Sequence, residues 1–207
     1  MIDKIVILGI LYLLFKKDNK EQFGGNLKNI YGDELKPCQK HSDDMRGSWD
    51  GQGYCSEQGV NTGLHQICFK IDKNTKNFSM ATKQQSDWSA ERISKSRPKN
   101  NHCMCLGAWA LYKERQKQNE VNKTSNELKC DAIPDTVFLK EYVKKWNTWN
   151  THELPDQVVE GMEKMVNQCY KEGNSEQKKY LIKKFCKLAN TSEGSSLKRS
   201  KIYKKCK

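Results

Sequence analysis

Arginine is scarce in this chain. Only Arg46, Arg92, Arg97, Arg115 and Arg199 stand among the 37 basic residues, and the rest are lysine. The arginine fork grips phosphates and base edges through paired hydrogen bonds, whereas lysine acts as a point charge. Sequence-specific nucleic-acid recognition is therefore disfavoured. Long apolar runs are also lacking. The longest is Ile5 to Phe15, and counted from Met1 the stretch has 15 residues, short of the ~20 that span a bilayer comfortably. There is no phosphate-cradling glycine loop, no Gly-x-Ser-x-Gly elbow, no His-Glu-x-x-His and no Cys-x-x-Cys knuckle. The signatures of the common hydrolases, kinases and dehydrogenases are thus missing. No internal repeat is present.

At 207 residues the chain suits one domain with appendages. It is polar for a globular protein, at 36% hydrophobic and 30% charged, yet five Trp, eight Tyr and six Phe are enough to anchor a core. The net charge of +12 is uneven: from Lys171 to Lys207 twelve Lys/Arg face three Glu, so +9 falls in the last 37 residues and +3 in all the rest. An acidic partner would meet the C-terminal part. Within it, Lys198, Arg199, Lys201, Lys204 and Lys205 suit anionic lipid or non-specific nucleic acid. Beside an anchor lipid is the more economical partner, and a merely solubilising tail is the plain alternative.

The apolar run is bounded by Asp3-Lys4 and Lys16-Lys17-Asp18, and no small-residue cleavage site follows Phe15. It reads as an uncleaved single-pass membrane anchor, short enough to need snorkelling lysines and a thinned bilayer. A buried first helix is the competing reading. Lys16, Lys17 and Lys20 outweigh Lys4, which puts the main domain on the cytoplasmic side, where thiols are normally kept reduced.

The expected order is an anchor over 1–17, a linker over 18–28, a cysteine-rich domain over 29–170, a helix over 171–190 and a basic disordered tail over 191–207. The fold class is α+β, a short sheet followed by two or three C-terminal helices. Gly47 to Gly63 is turn-rich. Leu64 to Asp72 alternates, with Ile67, Phe69 and Ile71 on one face of a half-buried strand. Gln84 to Asn101 reads as loop, and His102 to Trp109 as a core strand passing into a helix over 110–119. Pro134-Asp135-Thr136 starts a helix to about Trp149, and Leu154-Pro155-Asp156 starts another. In the latter Val158, Val159, Met162, Met165, Val166 and Cys169 share a face. Asn174 and Gln177 form a capping box for a third helix, with Tyr180, Leu181, Ile182, Phe185, Leu188 and Ala189 as its apolar set.

Nine cysteines lie at 38, 55, 68, 103, 105, 130, 169, 186 and 206. Cys103 and Cys105, one residue apart on a strand, would project to one face. Two thiolates held so suit zinc, and Cys38, Cys55, His65 and Cys68 are available to complete the ligand set, with His102 adjoining. Three readings stand open: disulfides, buried free thiols, and a metal or redox site. The odd count leaves at least one thiol unpaired. A thiol nucleophile would need His65 or His102 as its base. Asp43-Asp44 reads as a solvated loop pair.

Asn29-Ile30-Tyr31-Gly32 with Leu35 and Cys38, then Gly53-Tyr54-Cys55, Gly63-Leu64-His65-Gln66-Ile67-Cys68 and His102-Cys103-Met104-Cys105-Leu106-Gly107-Ala108-Trp109 form an ordered series. It resembles the mainly bacterial family called domain of unknown function 2237, over about residues 29–115. The turn at Ser56 to Thr62 and the stretch Ser89 to Asn101 depart from that pattern. Members usually lack the anchor and the last helices. The resemblance implies a shared fold and marks Cys38, Cys55, His65, Cys68, Cys103 and Cys105. It implies no activity.

Together these features suggest a membrane-anchored structural or interaction module rather than an enzyme, with protein partners at the C-terminal helices and a virion membrane as one setting. A metal- or thiol-dependent enzyme on the Cys/His cluster is the first alternative. Lipid or nucleic-acid binding by the tail is the second.

Overall fold

The strand formers Ile67 and Phe69 fall in strand β1, Ile67–Lys70, which pairs antiparallel with β2, Asn101–Met104. The computed structural model describes residues 27–38, 53–55, 65–70, 101–117, 128–147 and 155–207. The expected anchor, nearly all of the linker, Asp43-Asp44, most of Gly47 to Gly63, Ile71-Asp72 and the loop from Gln84 lie outside the described residues. The register sets Cys68 opposite Cys103 and Phe69 opposite His102. Because side chains alternate along a strand, the two cysteines share one face of the ribbon. Ile67, Phe69, His102 and Met104 share the other. Ile67, Cys68 and Phe69 are all fully buried, so β1 is covered on both faces and not half-buried as its alternation suggests. The reason is chemical: the second face is closed by sulfur.

The expected core strand over 102–109 is corrected. It stops at Met104, and helix α1, Leu106–Lys117, begins two residues on. Cys105 turns the chain. Its Sγ accepts the Ala108 N–H at 3.3 Å and its carbonyl accepts the Trp109 N–H at 3.0 Å, which is how a helix N-cap satisfies otherwise orphaned donors. Phe69 lies edge-on to Tyr112, ring centroids 5.0 Å apart, and tilted against Trp109 at 6.0 Å, so the ribbon packs on α1.

Helix α2 is Lys140–Asn147, and the helix expected from Pro134 to Trp149 is broken. Asp135–Phe138 forms a 3-10 turn that buries Val137 and Phe138, and Leu139 is extended, with its side chain 45% exposed. Two adjacent apolar residues enter the core from a tight turn, and the chain must reset before Tyr142 and Val143 can do so again.

Helix α3, Asp156–Glu172, follows Pro155 and buries Val158, Val159, Met162, Met165, Val166 and Cys169, as the spacing predicts. It meets α1 closely. A Cβ on Gly161 would lie 2.9 Å from the Ala110 Cα, and Trp109 Nε1 donates to the Gly161 carbonyl at 2.8 Å. Helix α4, Ser175–Ala189, opens on the anticipated capping box: Gln177 N–H to Asn174 Oδ1 at 3.0 Å, and Asn174 N–H to Gln177 Oε1 at 2.9 Å. It buries Leu181, Phe185, Leu188 and Ala189, while Tyr180 and Ile182 are half-buried.

The segment expected to be a disordered tail is ordered. Ser195–Arg199 and Lys201–Cys206 are 3-10 turns, Leu197 and Ile202 are buried in the core, and Cys206 is bonded to Cys186 on α4. The chain doubles back at Gly194, where a Cβ would sit 2.1 Å from the Leu188 carbonyl oxygen. Two apolar side chains and one disulfide offset the entropy of ordering a lysine-rich segment. Among the described residues one hydrophobic cluster runs from Ile30 to Ile202, so helix and tail belong to the same core as the sheet. Among the described residues no helix is long and apolar enough to cross a membrane.

The Asn29 to Gly32 motif ties the start of this core to its end. Asn29 is buried and its Oδ1 accepts the Tyr31 and Asp33 N–H groups at 2.9 and 3.2 Å. Tyr31 Oη donates to the Cys169 carbonyl at 2.8 Å, closing the C-terminal turn of α3. Gly32 has φ +86°, and its Cα faces the Tyr180 ring so closely that a Cβ would lie 2.8 Å from it.

Candidate functional site

The two cysteines that share a ribbon face are each bonded to a loop cysteine, Cys38–Cys68 and Cys55–Cys103. The Cα separations, 5.7 and 5.2 Å, are ordinary for disulfides. All four residues are buried, and the Sγ atoms of Cys38, Cys55 and Cys68 lie within 4.8 Å of one another. The loops are fixed by backbone and side-chain bonds. Cys38 N–H donates to the Gly53 carbonyl at 2.7 Å, Asn101 Nδ2 donates to the Cys38 carbonyl at 2.7 Å, and Lys129 Nζ donates to the Pro37 carbonyl. Two further disulfides, Cys130–Cys169 and Cys186–Cys206, stand at the helical end. Their pairing was not legible in spacing alone.

The six-residue ligand set expected from the sequence therefore divides. Cys38, Cys55, Cys68 and Cys103 come together but are bonded in pairs. In that state they hold no thiolate to offer an ion. Cys105 does not share a strand face with Cys103, because the strand has ended and the residue caps α1. His65 is half-buried just before β1 and is not among the clustered ligand atoms, and His102 projects to the opposite ribbon face from Cys103.

Cys105 is the free thiol. Burial pushes its pKa above the ordinary value and outweighs the backbone N–H groups, Ala108 first, that favour the thiolate. A thiol protonated at neutral pH is a poor nucleophile. The geometry at Cys105 serves helix capping.

The basic residues take fixed places as well. A groove of about 620 Å³ opens between the C-terminal turn of α3, the outer face of α4 and the last 3-10 turn. Tyr170, Ile182 and the Cys186–Cys206 disulfide line it together with Lys178, Lys179, Lys183 and Lys205. Lys205 Nζ lies 4.5 Å and Lys178 Nζ 5.4 Å from the Tyr170 ring centroid, both in cation–π range. Lys179 also reaches Glu176 at 2.8 Å on the exposed surface. Of the tail residues singled out by sequence, only Lys205 enters this groove. Arg199 pairs with Asp156 at 2.9 Å, the Lys201 N–H donates to Glu163, and Lys198 and Lys204 are exposed elsewhere on the last turns. Lys178, Lys183 and Tyr170 escaped the sequence reading because they belong to amphipathic helices whose polar faces look ordinary.

These features define a small disulfide-stapled α+β domain with a cationic groove at its helical end. No protein-family model matches the chain, and no curated protein or solved structure matches it significantly.

Proposed function

We propose that the chain is a membrane-anchored interaction module whose working surface is the lysine-lined groove around Tyr170, and that its partner is an acidic segment of another protein. One observation carries this reading: Lys178, Lys179 and Lys183 on α4 and Lys205 on the last turn, which Cys206 pins to α4, line one groove around Tyr170. A solubilising tail needs no fixed positions, whereas lysines held around a concave surface have lost their chain entropy before a partner arrives. Concavity favours an inserted acidic chain over a flat bilayer. Lysine in place of arginine suits carboxylates met singly. Two ammonium groups already cover the Tyr170 ring, which leaves little of the aromatic platform that single-stranded nucleic acid stacks upon.

The anchor over residues 1–15 supplies the tether in this proposal. Eight disulfide-bonded cysteines favour a domain facing the side on which thiols oxidise, against the positive-inside expectation of a cytoplasmic one. The outer face of a virion membrane is one such place.

The test uses the full chain in detergent, a fluorescein-labelled poly-glutamate peptide and, separately, phosphatidylserine vesicles. The peptide should bind in a salt-sensitive manner, and Lys178→Glu with Lys205→Glu should weaken it about tenfold or more without changing the melting temperature. Binding to vesicles but not to peptide, or peptide binding indifferent to both substitutions, would overturn the proposal.

A further inference from the structure

The buried crowd of sulfur at the ribbon has a second chemistry available to it. Cys68 and Cys103 are held side by side by strand register, and Cys38 and Cys55 are brought over them by the bonds from Cys38 N–H to Gly53 and from Asn101 to Cys38. Three sulfurs lie within 4.8 Å of one another, and the fourth, on Cys103, is bonded to one of the three. A zinc ion with bonds of ~2.3 Å to four thiolates places those sulfurs about 3.8 Å apart. Opening the two disulfides frees all four sulfurs to turn about their side chains, and the Cys103 sulfur, which lies outside the 4.8 Å group, swings in to complete that tetrahedron.

We infer that Cys38, Cys55, Cys68 and Cys103 form a closed four-thiolate zinc site in the reduced chain, and that this site and the two disulfides are alternative states of the same four sulfurs. Each disulfide takes two electrons and two protons from a dithiol reductant, which itself becomes a disulfide, and yields two thiols. The four thiols then release four protons as zinc binds. In the other direction a disulfide oxidant, reduced to its thiols, re-forms the two bonds and expels the ion. All four residues are buried, as a structural zinc site requires. The complex carries two net negative charges, and the Lys129 ammonium on the Pro37 carbonyl, next to Cys38, offsets part of them. Cys105 stays outside, engaged at the start of α1.

The experiment takes the full chain, produced and kept under a phosphine reductant, and titrates it with cobalt(II). One equivalent should give the intense visible bands of tetrahedral cobalt thiolate, and zinc should abolish them. Once the phosphine is removed, glutathione disulfide should release one ion per chain as the Cys38–Cys68 and Cys55–Cys103 bonds re-form. Cys38→Ser or Cys68→Ser should lower affinity by about 100-fold or more, while Cys105→Ala and the pair Cys186→Ala, Cys206→Ala should leave the spectrum unchanged. If reduction unfolds the chain, one equivalent of zinc should restore the circular dichroism of the oxidised form. A reduced chain with no such bands and no zinc-dependent refolding would overturn the inference, as would bands that survive loss of Cys38 and Cys68 but vanish with Cys105.

Discussion

Around β1 and β2 four cysteines crowd into one buried cluster, whereas of the two remaining disulfides Cys130–Cys169 lies within the helical core and Cys186–Cys206 at its margin. The ribbon has four residues per strand, too little to be stable by itself, and its second face is covered by sulfur. Its loops are tied down because covalent links shrink the unfolded ensemble. The helical end earns its stability differently: six inward residues on α3, four on α4 and a complete capping box. There each disulfide ties a 3-10 turn, at Cys130 or at Cys206, to a helix that already packs.

Removing one disulfide from each region should break this symmetry of count. The Cys55–Cys103 link spans 48 residues and Cys186–Cys206 spans 20. On loop-closure entropy alone their removal costs about 4 and about 3 kcal/mol, nearly the same. The contrast in core predicts a difference in kind. The pair Cys55→Ala, Cys103→Ala should expose the β1 and β2 amides to rapid hydrogen exchange while α3 and α4 stay protected. The pair Cys186→Ala, Cys206→Ala should loosen only residues 191–207. Equal loss of protection throughout the chain in both variants would show one cooperative unit and erase the distinction.

A packing test sharpens the same contrast on the helical side. At Gly161 an added methyl would meet backbone and side chain of Ala110 at 2.9 Å, and neither helix has a flexible side-chain end there to yield. Gly161→Ala should cost about 1–3 kcal/mol by overpacking, read as a fall in the denaturant midpoint with unchanged slope. A neutral result would mean that α1 and α3 are free to slide apart.

How far the sequence was readable follows the same division. Helices α3 and α4 were legible because their apolar positions repeat at helical spacing and Asn174 with Gln177 marks a start. The strand-to-helix change at Cys105 was not, since His102 to Trp109 is apolar enough for either state and the decisive feature is a thiol accepting the Ala108 N–H. The ordered tail was hidden because Leu197 and Ile202 are too few to form a pattern, and the residue that holds Cys206 lies on another element. The six marked residues at the sheet were legible as a group, and four of them converge. Which sulfur bonds to which depends on the 68–103 register, a long-range fact that no local window contains.

The smallest effect lies where α4 meets the 3-10 turn ahead of α2: Tyr180 donates its phenol to Asp135 at 2.7 Å and Lys184 reaches the same carboxylate at 2.8 Å. Burial first, and then the Asp135 hydrogen bond and charge, push the Tyr180 pKa from 10.0 up to about 12. The folded state thus holds a proton that the unfolded chain gives up earlier. Below the ordinary value of 10.0 both states are protonated and the contribution is whole. As pH rises from there toward about 12 the unfolded state alone ionises, and stability falls. Tyr31, raised in the same direction by its burial, adds to the fall, so the informative quantity is the difference between the native chain and Tyr180→Phe. The variant should be less stable by about 1 kcal/mol near neutrality, having lost one hydrogen bond. That deficit should narrow through the alkaline window, because its ring has no proton to lose. Urea midpoints measured on either side of the tyrosine value would show the convergence. A gap that stayed constant with pH would mean that the Tyr180 phenol ionises alike in both states and that Asp135 is held by Lys184 alone.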